Sequence, residues 1–447
     1  MTVTYARRLG LFSATMLVVG GVIGSGIFLN PAIVAQRVGS QALTLMAWLL
    51  GGAIAMIGAL CYAELGARRP RVGGGYAYLR DAFGPLPAFL YGWALLLVVA
   101  TGATAAVAVT FARYAAALAG WGEGGTLPLA LGAIALLSVV NIAGVRPGAV
   151  TQNVFTILKL LALAAVIVAG LLYVRDEVIE LAATQGWTEA ATDPALAVPR
   201  GVRSITVAMG AALIPVLFAS GGWQQTNFVA EELVEAERNL PRALILGTGM
   251  VVAVYLLANL SYLKVLGVGG LAASTAPAAD VMTQVAGSAG RVAISAGIAC
   301  STFGFLNLVI LVTPRVYQAM AADGLFVAPL AALHPVYRTP ARAIALQGLW
   351  AGVLAASGTY GQLLDYVVFG DWIFFGLTAA TLFVYRRREG PAPRFGVPLW
   401  PLLPLLFIAA AAYVVASSVV SNPRNALIGT ALILTGIPVY LITRSRP

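Results

Sequence analysis

Gly20-Gly21-Val22-Ile23-Gly24-Ser25-Gly26-Ile27-Phe28 lies in the middle of an apolar stretch, 11–36, long enough to cross a bilayer as a helix. Gly24-Ser25-Gly26 places three poor helix formers in a row, and each Gly costs roughly 1 kcal/mol against Ala in a helix interior. The stretch therefore predicts a helix that breaks at mid-membrane. A second such place is Phe218-Ala219-Ser220-Gly221-Gly222-Trp223, preceded by Pro215, within the apolar stretch 205–233. Interrupted apolar segments at matching places in two halves of a chain point to a solute site. One cluster alone has a plainer explanation, because Gly20 and Gly24 have the small-xxx-small spacing of packed membrane helices. Two clusters, each beside a bulky aromatic (Phe28, Trp223) and each opening a run of five apolar stretches, favour a site.

The rest of the chain agrees with a membrane setting. Of its 447 residues 60% are hydrophobic and only 10% charged, against about 25% charged in soluble domains. Such a chain lacks the polar surface to cover itself in water. In lipid every backbone group must be bonded within its own segment, so long apolar runs read as helices. About twelve spans follow, centred on 11–36, 42–65, 86–119, 127–142, 150–174, 205–233, 243–266, 292–320, 343–356, 362–385, 399–420 and 426–442. The expected fold is an all-α polytopic transmembrane domain over 1–447. Residues 11–174 and 205–385 form two five-helix repeats, and 399–442 adds two helices.

The formal net charge of +10 would suggest nucleic acid in a soluble protein. Here the arginines sit in short loops, and they sort by side. One set of loops holds Arg7, Arg8, Arg68, Arg69, Arg71, Arg80, Arg315 and the run Arg386–Arg388. The other holds few, among them Arg37, Arg175, Arg200, Arg203 and Lys264. The positive-inside rule then places both termini in the cytoplasm of a cell inner (plasma) membrane protein, with no nucleic-acid partner. The polar stretch 175–203 falls outside, 277–285 suits a short external helix, 70–84 an interfacial segment, and 324–340 a short helix or re-entrant piece. The first stretch lacks a small-residue cleavage site and reads as a span rather than a signal peptide.

A break frees backbone groups that lipid cannot satisfy, so they must line a cavity or be buried in protein. N–H groups near Ser25, Gly26 and Ile27, at the start of a half-helix, suit a carboxylate. Freed carbonyls of Phe218, Ala219 and Gly221 suit an ammonium group. Together they fit a zwitterion with both charges on one carbon, an α-amino acid.

The stretches GGVIGSGIFLNP (20–31), VFTILKLLAL (154–163), FASGGWQQTNFVAEELVEAERNLP (218–241) and LNLVILVTPRVYQAMAADGL (306–325) resemble the amino acid–polyamine–organocation superfamily. The resemblance spans nearly the whole chain and is nearest to the L-type amino acid transporters and their bacterial relatives. It implies the inverted five-plus-five helix fold of bacterial leucine transporters, with alternating access around the first and sixth spans. It also implies substrate contact at Ile23, Gly24, Ser25, Gly26, Phe218, Ala219, Gly221 and Trp223, with Phe218 as a gate over the substrate. Animal members pair with a glycoprotein through a cysteine between the third and fourth spans. The loop 120–126 has none, which argues against a disulfide-linked heavy subunit.

Lys159 stands mid-way along the fifth span. A charge near the bilayer centre costs at least about 2.5–3.5 kcal/mol, so it must face the bundle interior and find acceptors. The resemblance places such a lysine against the first break and an eighth-span hydroxyl, here Ser301. In sodium-driven members of the fold an ion occupies that space. A tethered ammonium would replace it, so the expected activity is sodium-independent transport of neutral amino acids, by exchange or uniport. The lysine either ties helices together or titrates, and proton coupling is the alternative. Polyamine or cationic amino acid transport would need an acid in the cavity, and none can be placed from sequence.

The remaining polar residues read more plainly. Glu231 and Glu232 suit a solvated helix end near Arg238 and Arg242, or else an inner-gate ion pair. Glu64 and Arg68 suit a simple i,i+4 pair. Gln224, Gln225 and Asn227 face either the cavity or neighbouring helices. Asp365 and Asp371 belong either to an outer gate or to a solvated loop, and the sole histidine, His334, sits in a loop. No constellation of His, Cys, Asp or Glu suits catalysis, a metal or a cofactor. The reading excludes an enzyme, and two breaks in one chain suit an occluding carrier better than a channel filter.

Overall fold

A computed structural model describes residues 4–173, 202–357, 360–391, 394–421 and 423–444. Within them the chain is helical, with one isolated parallel bridge between Leu9 and Leu233. The expected external stretch lies outside the described residues up to position 201, as does the side chain of Asp365.

The first span is two helices, α1 (Leu11–Val22) and α2 (Gly26–Val38), bent by 41° across the break. Then come α3 (Gln41–Arg68), the short α4 (Gly75–Phe83), α5 (Pro85–Leu118), α6 (Thr126–Ile142) and α7 (Val145–Leu172). The second half holds α8 (Val202–Ser220), a 3-10 stretch Trp223–Glu232, α9 (Ala236–Ala273), α10 (Pro277–Val312) and α11 (Pro314–Ala322). It ends with α12 (Ala341–Ala356), α13 (Tyr360–Glu389), α14 (Leu402–Ser421), α15 (Pro423–Leu434) and α16 (Gly436–Arg444). Among the described residues eight helices, and the bent pair as a ninth, are long and apolar enough to cross a membrane. The shorter apolar α6 and α12 and the 30-residue α13 fall at the other expected spans.

Three local expectations change. The inner half of the sixth span is not an α-helix but a ten-residue 3-10 stretch, with Val229 off helical geometry. The segment after α3 is packed into the protein rather than laid on its surface: Tyr76, Tyr78 and Leu79 of α4 are fully buried, against α5 and α13 among others. Segment 324–340 contains only one 3-10 turn, Ala328–Ala331. A helix does form at 277–285, as the first part of α10 before a kink at Ala286 and Gly287.

The two broken elements sit at the centre. Helix α1 packs on α9 and α7, α2 on α8 and α9, and α10 on α7 and α5. Lipid-facing surfaces carry exposed Leu and Val, such as Leu161 and Leu172 on α7 and Val420 on α14.

A cavity between two broken helices

At the first break α1 stops at Val22, Ile23 turns extended (ψ 92°), and α2 restarts at Gly26. The first turn of α2 has no preceding turn to accept its N–H groups. At the second break α8 stops at Ser220, and Gly222 takes a left-handed φ of +106°. The breaks touch backbone to backbone: a Cβ on Gly222 would fall 2.1 Å from the Gly21 carbonyl oxygen. This approach, not general flexibility, requires glycine there. The small-residue packing explanation holds at Gly20, where a Cβ would strike the Gln152 and Thr156 side chains of α7. It fails at Gly24, whose nearest neighbour is the Phe305 ring, 3.5 Å from a Cβ built there.

The breaks open onto one cavity. Of the residues singled out from sequence, Gly24, Ser25, Gly26, Phe218, Ala219 and Gly221 line it. Ile23 and Trp223 stand behind it. Ile23 is fully buried, and Trp223 packs edge-on to Tyr62 (5.0 Å between ring centroids) and against Phe375 and Phe407. The far wall comes from α5 and α13. Leu95 and Val99, at the ends of a five-residue π turn inside α5, line it with Tyr91, Trp372 and Phe375. π turns recur at functional sites because they re-aim side chains within a helix.

Gln224 and Gln225 line the cavity, whereas Asn227 does not. Gln224 accepts the Gly222 N–H at 2.9 Å. Gln225 Oε1 is buried without a partner among the described residues. Asn227 donates to the Tyr62 carbonyl (3.0 Å) and the Tyr78 hydroxyl (3.1 Å), tying the 3-10 stretch to α3 and α4. Asp371 lies within α13 rather than in a loop. It lines the cavity, so the cavity does contain an acid, which sequence could not place.

Lys159 is fully buried and donates to the carbonyls of Ile23 (2.6 Å) and Gly20 (3.1 Å). Ser301 instead donates to the Gly24 carbonyl at 3.3 Å. The two therefore share the break rather than bond each other. Three carbonyls around the first break are thus satisfied from behind, which leaves its N–H side facing the cavity.

Sequence reading missed Tyr255 of α9. Its hydroxyl lies 3.0 Å from the Val22 carbonyl and 3.1 Å from that of Ala219, so one side chain holds both breaks. The Ala219 carbonyl is therefore already engaged and that of Phe218 accepts the Gly221 N–H at 3.5 Å, which leaves Gly221 as the unengaged carbonyl of the three. Also missed was a buried amide relay behind α1. Asn141 donates to Asn307, Asn307 to Gln152, Gln152 to Thr156, and Thr156 to the Met16 carbonyl, at 3.0–3.3 Å. Only contacts between α6, α7 and α10 could reveal it, since each residue alone reads as ordinary.

One end of the molecule is sealed by charge. Glu232 is buried and pairs with buried Arg315 at 2.6 Å, and its carbonyl accepts the N–H groups of Arg8 and Leu9. This replaces the solvated helix end, and the partner is Arg315 rather than Arg238 or Arg242. Glu64 is also fully buried and is more than half of an i,i+4 pair. It accepts from Arg68 (2.9 Å), from Arg386 (2.8 Å) and from the Val397 N–H (2.7 Å). Arg80 pairs with Asp323, which also accepts from the Tyr76 hydroxyl at 2.8 Å. Burial first, and the Asp323 carboxylate second, push the Tyr76 phenol well above its usual range, so it remains a donor. The ion pairs of Glu64 with Arg68 and Arg386, of Arg80 with Asp323 and of Arg315 with Glu232 all lie at this end, which carries the N-terminal segment.

Among the described residues no cluster of His, Cys, Asp and Glu could hold a metal ion, and Cys61 and Cys300 are both free thiols within helices. The match to known proteins covers nearly the whole chain, with the amino acid permease family model aligning over residues 9–443. The chain belongs to the amino acid permease family. It is 32% identical to the serine/threonine exchanger SteT of Bacillus subtilis (strain 168), covering 98% of this chain and 97% of that protein. It is 34% identical to the large neutral amino acids transporter small subunit 2 of Rattus norvegicus, over 98% and 81%. It is 32% identical to the b(0,+)-type amino acid transporter 1 of Homo sapiens, over 99% and 88%. This permease is thus a multi-pass α-helical membrane transporter of amino acids and not an enzyme.

Proposed function

We propose that this permease is a sodium-independent carrier of neutral α-amino acids that works by alternating access. The observation that carries this is the single cavity onto which both breaks open, with unengaged N–H groups at the start of α2 and an unengaged carbonyl at Gly221. A substrate carboxylate meets the first break, where the half-helix dipole favours negative charge. The ammonium meets the second. Phe218, half-buried over the cavity, closes on the bound molecule. The apolar wall of Leu95, Val99 and Phe375 then receives an uncharged side chain.

The Lys159 ammonium on the Gly20 and Ile23 carbonyls does the work of a bound cation. A sodium ion there would have to displace a tethered charge. Residues 11–174 and 205–385 act as the two inverted repeats, with 399–442 appended. The ion-paired end is cytoplasmic, as are both termini, and the seal there closes the inner path while the cavity is served from outside. The chain works without a disulfide-linked heavy subunit, since the loop at 120–126 offers no cysteine. Purified protein in liposomes takes up labelled L-alanine or L-leucine saturably, and at the same rate when external Na⁺ is replaced by K⁺. Strict dependence on Na⁺ refutes the lysine argument.

A further inference from the structure

We infer that Asp371 turns the α13 side of the cavity into a subsite for a cationic side chain, an ammonium or guanidinium, on the bound amino acid. The inference rests on the carrier reading above and extends its substrate range. Among the described residues Asp371 is the only charged side chain lining the cavity. No basic side chain among the described residues lines the cavity beside it. The chain's two lysines are engaged elsewhere, Lys159 on the first break and Lys264 on the Leu171 carbonyl. Arg68, Arg80, Arg315 and Arg386 are paired with carboxylates in the seal at the N-terminal end.

The surroundings specify the kind of cation. Tyr91, Trp372 and Phe375 line the same wall, and the hydroxyls of Tyr62 and Tyr91 lie within electrostatic reach of the carboxylate. Aromatic faces beside one acid attract organic ammonium and guanidinium groups, most strongly where water is excluded. A small hydrated metal ion would need several oxygen ligands, and the wall offers rings instead.

Charge balance gives the same answer. The breaks take both charges of the α-amino acid backbone, so a neutral substrate leaves the Asp371 carboxylate uncompensated in a low-dielectric space. A substrate with one more positive charge removes that cost. Asp371 is therefore a specificity-determining residue that selects by charge, while the breaks select for the α-amino acid unit.

Arginine and citrulline, nearly the same in shape and different in charge, test this. Liposomes with the full-length protein are given labelled L-arginine, L-citrulline and, as reference, L-alanine. Wild type takes up arginine over citrulline by at least about tenfold. Asp371→Asn brings that ratio close to one, and Asp371→Glu restores part of it. Thermal shifts of wild type with arginine and with citrulline give the same ordering and need no variant to fold. Equal handling of arginine and citrulline by wild type, or an unchanged ratio in Asp371→Asn, overturns the inference while alanine uptake leaves the carrier reading standing. Proton movement with alanine that Asp371→Asn abolishes, without arginine preference, also overturns it, since Asp371 would then serve a proton. Failure of all three amino acids to be taken up removes the carrier reading itself, and the subsite with it.

Discussion

The two breaks do the same backbone job and are held open in opposite ways. At the first, a cation and a hydroxyl, Lys159 and Ser301, approach from behind and cap the carbonyls of Gly20, Ile23 and Gly24. What remains toward the cavity is the positive end of a half-helix. At the second no charge is used. The neutral Tyr255 and Gln224 hold the Ala219 carbonyl and the Gly222 N–H, the Phe218 carbonyl takes the Gly221 N–H, and the Gly221 carbonyl is left. The difference teaches how a membrane protein leaves backbone groups of opposite polarity facing one cavity without a charged pair in it. At the first break the carbonyls are capped and N–H groups remain, and at the second a carbonyl remains.

The hardest blow to this arrangement falls where the breaks touch. Gly222→Ala forces a Cβ against the Gly21 carbonyl at a left-handed φ. It should abolish uptake and destabilise the protein by about 3 kcal/mol or more, read from thermal unfolding. Lys159→Ala strips the first break of its cation and leaves buried carbonyls unpaired, at about 1–3 kcal/mol each. Uptake should fall at least about tenfold, while size-exclusion elution stays that of wild type. Wild-type rates in this variant would reduce the lysine to a helix tie.

Tyr255→Phe keeps the ring packed on Trp48 but removes the hydroxyl shared by both breaks. About 1 kcal/mol of lost bonding predicts a roughly fivefold rise in the half-saturating substrate concentration. An effect on maximal rate alone would separate the tyrosine from substrate binding. Ser301→Ala removes one long hydrogen bond and should change uptake only about twofold. A larger effect than that of Tyr255→Phe would mean that the first break depends on its hydroxyl more than on the link between breaks.

Much of this was legible in the chain. Gly24-Ser25-Gly26 and Gly221-Gly222 mark the breaks because helix interruption is decided by a few adjacent residues. Lys159 stood out because a charge in an apolar run has few places to go. The side chains that finish the site were not legible, for they join distant segments. Glu64 looks complete with Arg68 one turn away, yet Arg386, 322 positions on, holds the same carboxylate. Arg315 reads as a loop cation and is instead buried against Glu232. Asp371 reads equally as an outer-gate residue or a loop acid, because the sequence of the helix that carries it gives no sign of which face meets the cavity.

By itself, then, the sequence determined that the chain is a bundle of membrane helices interrupted at two named places, since hydropathy and glycine conformational preference act over short stretches of backbone. Only the tertiary structure decided which carbonyls are capped, by Lys159, Ser301 and Tyr255, which end is sealed by buried ion pairs, and that the one acid of the cavity is Asp371. Those depend on which helices become neighbours, and bonds between residues hundreds of positions apart leave no mark on local composition.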